Sequence, residues 1–258
     1  MKTFDAYTLK WIAIIGMALN HMAHAWFEIL PPWLLFPLYA AGGLTFPIIA
    51  HLTIDGYRHT SNIKKYMLRL LTFAVISMPF HYLVVRAFSP NILFVIVLSL
   101  VALLLYDKMK SRLLFWVTFV ALVLITFIFV TDWFIIGPIV VLLTYTIKDE
   151  KKRRVVPAIV AGLFWLVLSV AVFMGLRAIE AYPDANIQMG VPYHWTHINF
   201  VRASTTFIIG CIAAAFILLR YNGERGKPMK WAFYVAYPLH LAVLGGVALA
   251  LGLVSLPF

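Results

Sequence analysis

The chain has 258 residues, of which 63% are hydrophobic and only 12% are charged. Soluble domains of this size do not have such a composition, so the soluble protein classes are excluded. Apolar runs of about 20 residues recur, which is the length of a membrane-crossing helix, and the alternation of membrane β-strands is absent. The composition predicts an all-α fold, a polytopic transmembrane helical bundle that forms a single domain over residues 1–258.

The charge and the cysteine count limit the partners of the chain. The formal net charge is +11, but lysine and arginine in a membrane protein mark cytoplasmic loops, so no nucleic-acid partner is predicted. The single cysteine, Cys211, excludes an internal disulfide and a four-thiolate metal site. Because Cys211 lies within an apolar run, we expect a thiol packed in the core.

The apolar runs predict about nine transmembrane spans, with eight to ten as the range. Only Thr131 and Asp132 separate the fifth run from the short sixth run, so these two form either a helical hairpin or a span followed by a half-helix. In chain order the predicted spans are 9–28, 34–55, 66–86, 91–107, 112–130, 133–147, 155–177, 199–220 and 231–253.

The distribution of cations predicts the orientation of the bundle. With the N-terminus in the cytoplasm, every lysine and arginine except Arg86, Arg177 and Arg202 falls on the cytoplasmic side. The C-terminus then lies outside. One longer external loop, at about 178–198, contains His194 and His197 and is expected to recognise a substrate.

Polar residues inside the first predicted helix form one stripe. Lys10 and His21 are eleven positions apart, which brings them to within roughly 20° of the same helical face, separated by roughly 16 Å along the axis. Asn20 and His24 lie beside His21. A cation at the entrance and a deep imidazole suit a long ligand with phosphates at one end. An anchoring lysine with a hydrogen-bonded core histidine is the structural alternative.

The second predicted helix carries a histidine and a carboxylate on one face. His51 and Asp55 are four residues apart, so we expect them to pair. Pro47 is expected to kink this helix and to free the carbonyl group of Gly43 for a neighbouring helix.

Two further helices place imidazoles within the membrane. Ser77 and His81 are four residues apart, and Tyr237 and His240 are three apart beside Pro238. So many histidines in a chain with few charges predict a shared polar cavity. The i, i+3 spacing of His21 with His24 and of His194 with His197 lacks an adjacent third ligand, so no metal site is predicted.

Several motifs in order along the chain resemble those of the TraX family of bacterial membrane proteins. The most specific is the run from Arg58 to Tyr66, R-H-T-S-N-I-K-K-Y. The others are Phe46-Pro47-Ile48, Asp55-Gly56-Tyr57, Arg69-Leu70-Leu71, Ser77-Met78-Pro79-Phe80, Asn91-Ile92-Leu93-Phe94, Asp132 with Gly137, and Tyr237-Pro238-Leu239-His240-Leu241. The resemblance implies an acetyl-CoA-dependent acetyltransferase in the bacterial inner membrane.

A second resemblance rests on the first helix. Integral-membrane acyltransferases of the acyltransferase-three type have a cation, ten residues and then a histidine, and Lys10 and His21 reproduce that spacing. In those enzymes the histidine is catalytic and the cation lies near the CoA phosphates. The resemblance therefore implies the same roles for His21 and Lys10.

The leading hypothesis is an enzyme, a membrane-embedded acyltransferase that moves an acetyl group from cytoplasmic acyl-CoA to a peptide amino terminus or a saccharide hydroxyl. His21 is the predicted general base, and the predicted oxyanion donors are Asn20, Tyr237 and His240. The predicted acetyl-CoA site consists of Lys10, Arg58, His59, Asn62, Lys64, Lys65 and Arg69. The predicted acceptor site consists of His51, Asp55, His81, His194 and His197.

Three alternatives stay open at this level. An acetyl-histidine intermediate would replace direct transfer. A secondary transporter or channel would use the same histidines as a proton or solute path. A non-catalytic scaffold would leave the buried histidines unexplained. The sequence also leaves open whether the chain forms a homo-oligomer.

Overall fold

The computed structural model describes residues 3–180 and 198–255, which are mostly helical. A parallel bridge between Phe4 and Tyr221 joins the N-terminus to the segment before the last helix. In chain order the helices are α1 (Ala6–Ala25), α2 (Pro32–His59), α3 (Ile63–Val85), α4 (Ile92–Lys108), α5 (Arg112–Ile128), α6 (Ile136–Thr146), α7 (Glu150–Glu180), α8 (Ile198–Ser204), α9 (Phe207–Leu219) and α10 (Lys230–Ala250).

Within residues 3–180 and 198–255, five helical stretches are long and apolar enough to cross a membrane. This confirms the predicted all-helical membrane protein at the level of fold class. Helices α5 and α6 are apolar but shorter. The five stretches are α2, α3, the segment Glu150–Gly175 of α7, the segment Val201–Leu219 and the segment Trp231–Ala250 of α10.

The sixth predicted span forms a short helix. With 11 residues, α6 extends for about 16 Å, which is roughly half of the hydrocarbon thickness. The connection from α5 contains Val130 and Trp133, both with a left-handed backbone (φ of 47° and 54°). Of the two arrangements predicted for this region, the structure therefore has a helix followed by a half-length helix.

The eighth predicted span is interrupted. Helix α8 ends at Ser204 and α9 begins at Phe207, with a two-residue break between them. The hydroxyl groups of Thr205 and Thr206 donate to the carbonyl groups of Arg202 and Ala203, which competes with the regular helical pattern. The predicted external loop at 178–198 is shorter at both ends, because α7 continues to Glu180 and α8 begins at Ile198; residues 181–197 lie outside the described part of the chain.

Helix α2 lies at the centre of the bundle and contacts α1, α6, α7, α8 and α9. Glycines allow α2 and α9 to approach closely. A β-carbon on Gly43 would lie 2.0 Å from the Phe207 carbonyl oxygen, and one on Gly210 would lie 1.8 Å from that of Ala40. Small residues at this crossing therefore permit backbone contact, as in many membrane helix pairs.

The proline within α2, Pro47, frees a backbone carbonyl group, as predicted. Proline removes the amide hydrogen that would bond to the Gly43 carbonyl, and the Cys211 thiol donates to that oxygen instead, at 3.1 Å. Cys211 is fully buried, so the predicted core thiol is confirmed. The fold thus uses the cysteine to satisfy a backbone group in the centre of the bundle.

Candidate functional site

A histidine pair joins the first and last helices. His21 Nδ1 on α1 lies 2.8 Å from His240 Nε2 on α10. His240 Nδ1 lies 2.8 Å from the Ala236 carbonyl oxygen, which can only accept, so this nitrogen carries the hydrogen. With both rings neutral, His240 Nε2 then accepts from His21 Nδ1. The lone pair of His21 therefore resides on Nε2, which is free to accept a proton or to bind a metal ion.

A second pair links α3 to the connection between α5 and α6. His81 Nε2 lies 3.2 Å from Asp132 Oδ2, and His81 is fully buried. The same carboxylate oxygen accepts from the Ile92 amide at 3.1 Å, at the beginning of α4. Asn91, also fully buried, caps α4 and donates to the Ala74 carbonyl on α3. These bonds fix the carboxylate beside the imidazole.

The two pairs form one cluster. The ring centroids of His21 and His81 are 6.4 Å apart, and those of His21 and Tyr237 are 6.2 Å apart. The structure thus brings together His21, His240 and Tyr237, which were predicted to be catalytic, with His81, which was predicted to bind the acceptor. Asp132 was not predicted as a site residue. Its signals in the sequence are its position as a lone carboxylate inside a long apolar stretch and its place, with Gly137, among the motifs that resemble the TraX family.

An apolar cavity of about 380 Å³ opens onto this cluster. We call it the histidine chamber; among the polar residues that line it are Asn20, His21, His24 and Asp132. Aromatic rings line the rest, including Phe46, Tyr39, Trp133, Trp165 and Phe207. An apolar chamber with a few convergent polar groups is the usual form of a small-molecule or cofactor site.

Asn20 is at the wall of the histidine chamber and not in the cluster. Its side chain packs against α2, where a β-carbon on Gly42 would lie 2.6 Å from Asn20 Cγ. Asn20 Nδ2 is buried and has no hydrogen-bond partner among the described residues. This amide therefore faces a region where a ligand could accept its hydrogen bond.

A second cavity, of about 620 Å³, lies toward the end of the bundle where α1 begins. It shares the lining residues Met17, Ile49 and Ile92 with the histidine chamber, so the two cavities meet at mid-bundle. We call it the basic chamber because its cations outnumber its carboxylates. Its cations are Lys10, Arg69, Arg153, Arg154 and Arg225, and its carboxylates are Asp55 and Glu150.

The basic chamber contains only part of the predicted acetyl-CoA site. Lys10, His59 and Arg69 line it, as predicted, together with His51 and Asp55 from the predicted acceptor site. Three further lining residues, Arg153, Arg154 and Arg225, were not predicted as site residues, because cations in a membrane protein also mark the cytoplasmic side.

The rest of the predicted acetyl-CoA site lies elsewhere. Arg58 is near the ring and the carbonyl oxygen of Tyr145, and it is exposed. Asn62 caps α3 by accepting from the Lys65 amide at 2.9 Å, which is a structural role. Lys64 and Lys65 are exposed on the first turn of α3. These four residues are not among those lining the basic chamber.

The predicted pair of His51 and Asp55 is corrected by the structure. Asp55 Oδ2 accepts from the Tyr221 hydroxyl at 2.8 Å, and His51 packs edge-on against the Tyr221 ring at a centroid distance of 5.6 Å. Burial and the neighbouring Asp55 charge raise the pKa of the Tyr221 hydroxyl, which keeps it a donor. Asp55 therefore pairs with Tyr221, from the α9–α10 connection, and not with His51 as the helical spacing predicted. His194 and His197 lie outside the described residues.

The family described as TraX protein matches residues 5–248 of the chain. The chain belongs to the TraX family. A curated relative from Dichelobacter nodosus is 28% identical over 260 residues, covering 93% of this chain and 94% of the relative. It is described as "Probable fimbrial assembly protein FimC, serogroup H1". No solved structure matches this TraX protein.

These findings correct the functional prediction. The predicted function was transfer of an acyl group from acyl-CoA with His21 as general base, with a transporter or channel as the alternative. The description of the relative concerns fimbrial assembly, and neither match describes acyl transfer or transport. The predicted function was therefore wrong.

Proposed function

We propose that this TraX protein acts in the assembly of fimbriae from within a membrane. The observation that carries the proposal is the match to a fimbrial assembly protein over almost the full length of both chains. The range that matches the family, residues 5–248, includes the histidine cluster and the residues that line both chambers.

The histidine chamber is the proposed working site. It combines an apolar, aromatic wall with a lone pair on His21 Nε2 and a fixed carboxylate on Asp132. Such a site suits a peptide segment with apolar side chains and one polar reacting or binding group. We propose that a fimbrial component presents such a segment.

We also propose the finer points of topology that the cations predict. These are about nine spans, with eight to ten as the range, a cytoplasmic N-terminus and a location in the inner membrane. The clustering of Lys10, Arg69, Arg153, Arg154 and Arg225 around one chamber supports a single cation-rich end of the bundle. Reporter fusions at residue 110 and at the C-terminus test it: we expect the first to be cytoplasmic and the second to be external.

Acetyl-CoA is the proposed ligand of the basic chamber, and that the chain is an enzyme stays a prediction. The cations of this chamber suit a ligand with several phosphates. The junction of the two chambers would allow a long ligand to extend from the cations toward His21.

Deletion and complementation in a fimbriated host test the proposed function. We expect the deletion strain to lose surface fimbriae in electron micrographs, the wild-type gene to restore them, and His21→Ala to fail. Immunoblots of the subunit in whole cells and in sheared fimbriae separate failed assembly from lost synthesis. Normal fimbriation in the deletion strain would refute the proposal.

A further inference from the structure

We propose that His21, His81 and Asp132 bind a divalent transition-metal ion at the edge of the histidine chamber. Each residue offers one ligand atom, and these atoms all lie within 4.8 Å of one another. Two imidazoles and a carboxylate form a donor set that zinc, iron and related ions accept. The inference goes beyond the proposed function, since metal binding does not depend on a role in fimbriae.

The distances suit a metal after a small adjustment. Zinc binds nitrogen and oxygen ligands at about 2.0–2.1 Å, which places tetrahedral ligands about 3.3 Å from each other. His81 Nε2 and Asp132 Oδ2 are already 3.2 Å apart. Since no pair of ligand atoms exceeds 4.8 Å, side-chain rotations that shorten these separations by at most about 1.5 Å would complete the geometry.

The hydrogen bonds around the cluster orient the ligands. Metal-binding histidines usually donate their second ring nitrogen to a fixed acceptor, which directs the lone pair to the metal. His21 Nδ1 has this partner in His240, which is itself held by the Ala236 carbonyl. Asp132 is held by the Ile92 amide. Two of the three proposed ligands thus have the supporting contacts of a metal site.

The position of the cluster explains what the ion would do there. The three ligands come from α1, from α3 and from the connection between α5 and α6, so the ion would join three separate segments. His21 and Asp132 also line the histidine chamber, which would leave a coordination position open toward it. An open position is typical of reactive metal sites, whereas structural sites are closed.

The sequence could not reveal this site. It predicted no metal because the short-range pairs His21 with His24 and His194 with His197 lacked a third ligand. The proposed ligands are far apart in the sequence, and they meet because α1 and the α5–α6 connection both pack against α3.

Metal binding by the purified full-length protein in detergent tests the proposal. After treatment with EDTA and desalting, we expect one zinc ion per chain to rebind, measured by inductively coupled plasma mass spectrometry. We expect His81→Ala and Asp132→Asn to weaken binding at least ~10-fold. Asp149→Asn is the matched control, because this exposed carboxylate caps α7 far from the cluster and asparagine also caps helices. Wild-type affinity in both cluster variants would overturn the proposal, as would less than ~0.1 equivalent of zinc on the wild type.

X-ray absorption at the zinc edge of the wild type decides the question if the variants do not fold. Two imidazole ligands and at least one carboxylate oxygen support the site, and any other ligand set overturns it. Failure of this test would leave the role in fimbrial assembly intact. If the deletion strain loses its fimbriae but the purified wild-type protein binds no zinc, the role in fimbrial assembly stands and the metal proposal fails.

Discussion

His21 and His240, from opposite ends of the sequence, share a hydrogen bond of 2.8 Å in the middle of the bundle. The bond fixes which His21 nitrogen carries the hydrogen, because the Ala236 carbonyl fixes the hydrogen on His240 first. His240 therefore positions His21 without lining the histidine chamber itself.

Replacing His240 tests this positioning role. We expect His240→Ala to reduce the fraction of fimbriated cells at least ~10-fold, because supporting contacts of this kind typically contribute 10–100-fold. The measurement is complementation of a deletion strain, with membrane levels of the protein determined by immunoblot. Leu239→Ala is the control, because the neighbouring Leu239 side chain is 57% exposed and points away from the chamber. Equal complementation by both variants would contradict the role.

The basic chamber gives a second prediction. We expect purified protein to bind acetyl-CoA, and the double variant Lys10→Gln and Arg225→Gln to bind it at least ~10-fold more weakly, since each charge-assisted bond contributes about 1.5–3 kcal/mol. Isothermal titration calorimetry in detergent measures both affinities. Lys110→Gln removes an exposed cation outside the chamber and should have no effect. Binding that is absent, or unchanged in the double variant, would contradict acetyl-CoA as the ligand.

Local sequence rules predicted the features that depend on one helix. Composition and run length predicted the helical membrane bundle, and Pro47 predicted the free Gly43 carbonyl that Cys211 satisfies. The histidine cluster contains both Tyr237 and His240, which are three residues apart and therefore share one face of α10. These inferences need only the geometry of a single helix.

Long-range contacts explain what the sequence did not predict. Asp132 joins His81 because the connection from α5 to α6 folds back on α3 and α4, and no spacing rule describes that path. The Tyr221 hydroxyl donates to the Asp55 carboxylate because the α9–α10 connection pairs with the N-terminal segment at Phe4. Competition from a distant partner therefore overrides a plausible local pair.

The crossing of α2 and α9 gives a prediction of stability. We expect Gly210→Ala to lower the free energy of unfolding by about 1–3 kcal/mol, because the new β-carbon would meet the backbone of α2 at Ala40 and Leu44. Gly246→Ala is the control, since a β-carbon there meets nothing within 4 Å. Thermal unfolding in detergent, followed by size-exclusion chromatography, compares the two. Equal stability of the two variants would show that α2 and α9 move apart to accommodate the new β-carbon with little loss of free energy.

The N-cap of α1 gives a prediction that depends on pH. Asp5 accepts from the Thr8 amide at 2.8 Å and from the Thr8 hydroxyl at 2.7 Å, and these bonds hold the pKa of the Asp5 carboxyl below its usual 3.8. A lowered pKa in the folded state stabilises the fold above the unfolded pKa, and this contribution is lost as the pH falls through the folded value. We expect Asp5→Ala to destabilise the protein by about 1 kcal/mol at pH 7, and the difference from wild type to shrink below pH 4. Asp5→Asn keeps a capping side chain without a titrating group, so its stability should change less between pH 7 and pH 3 than that of the wild type. Thermal unfolding of the three proteins across this range measures the effect, and a pH-independent gap between wild type and Asp5→Ala would show that the carboxylate charge has no part in the cap.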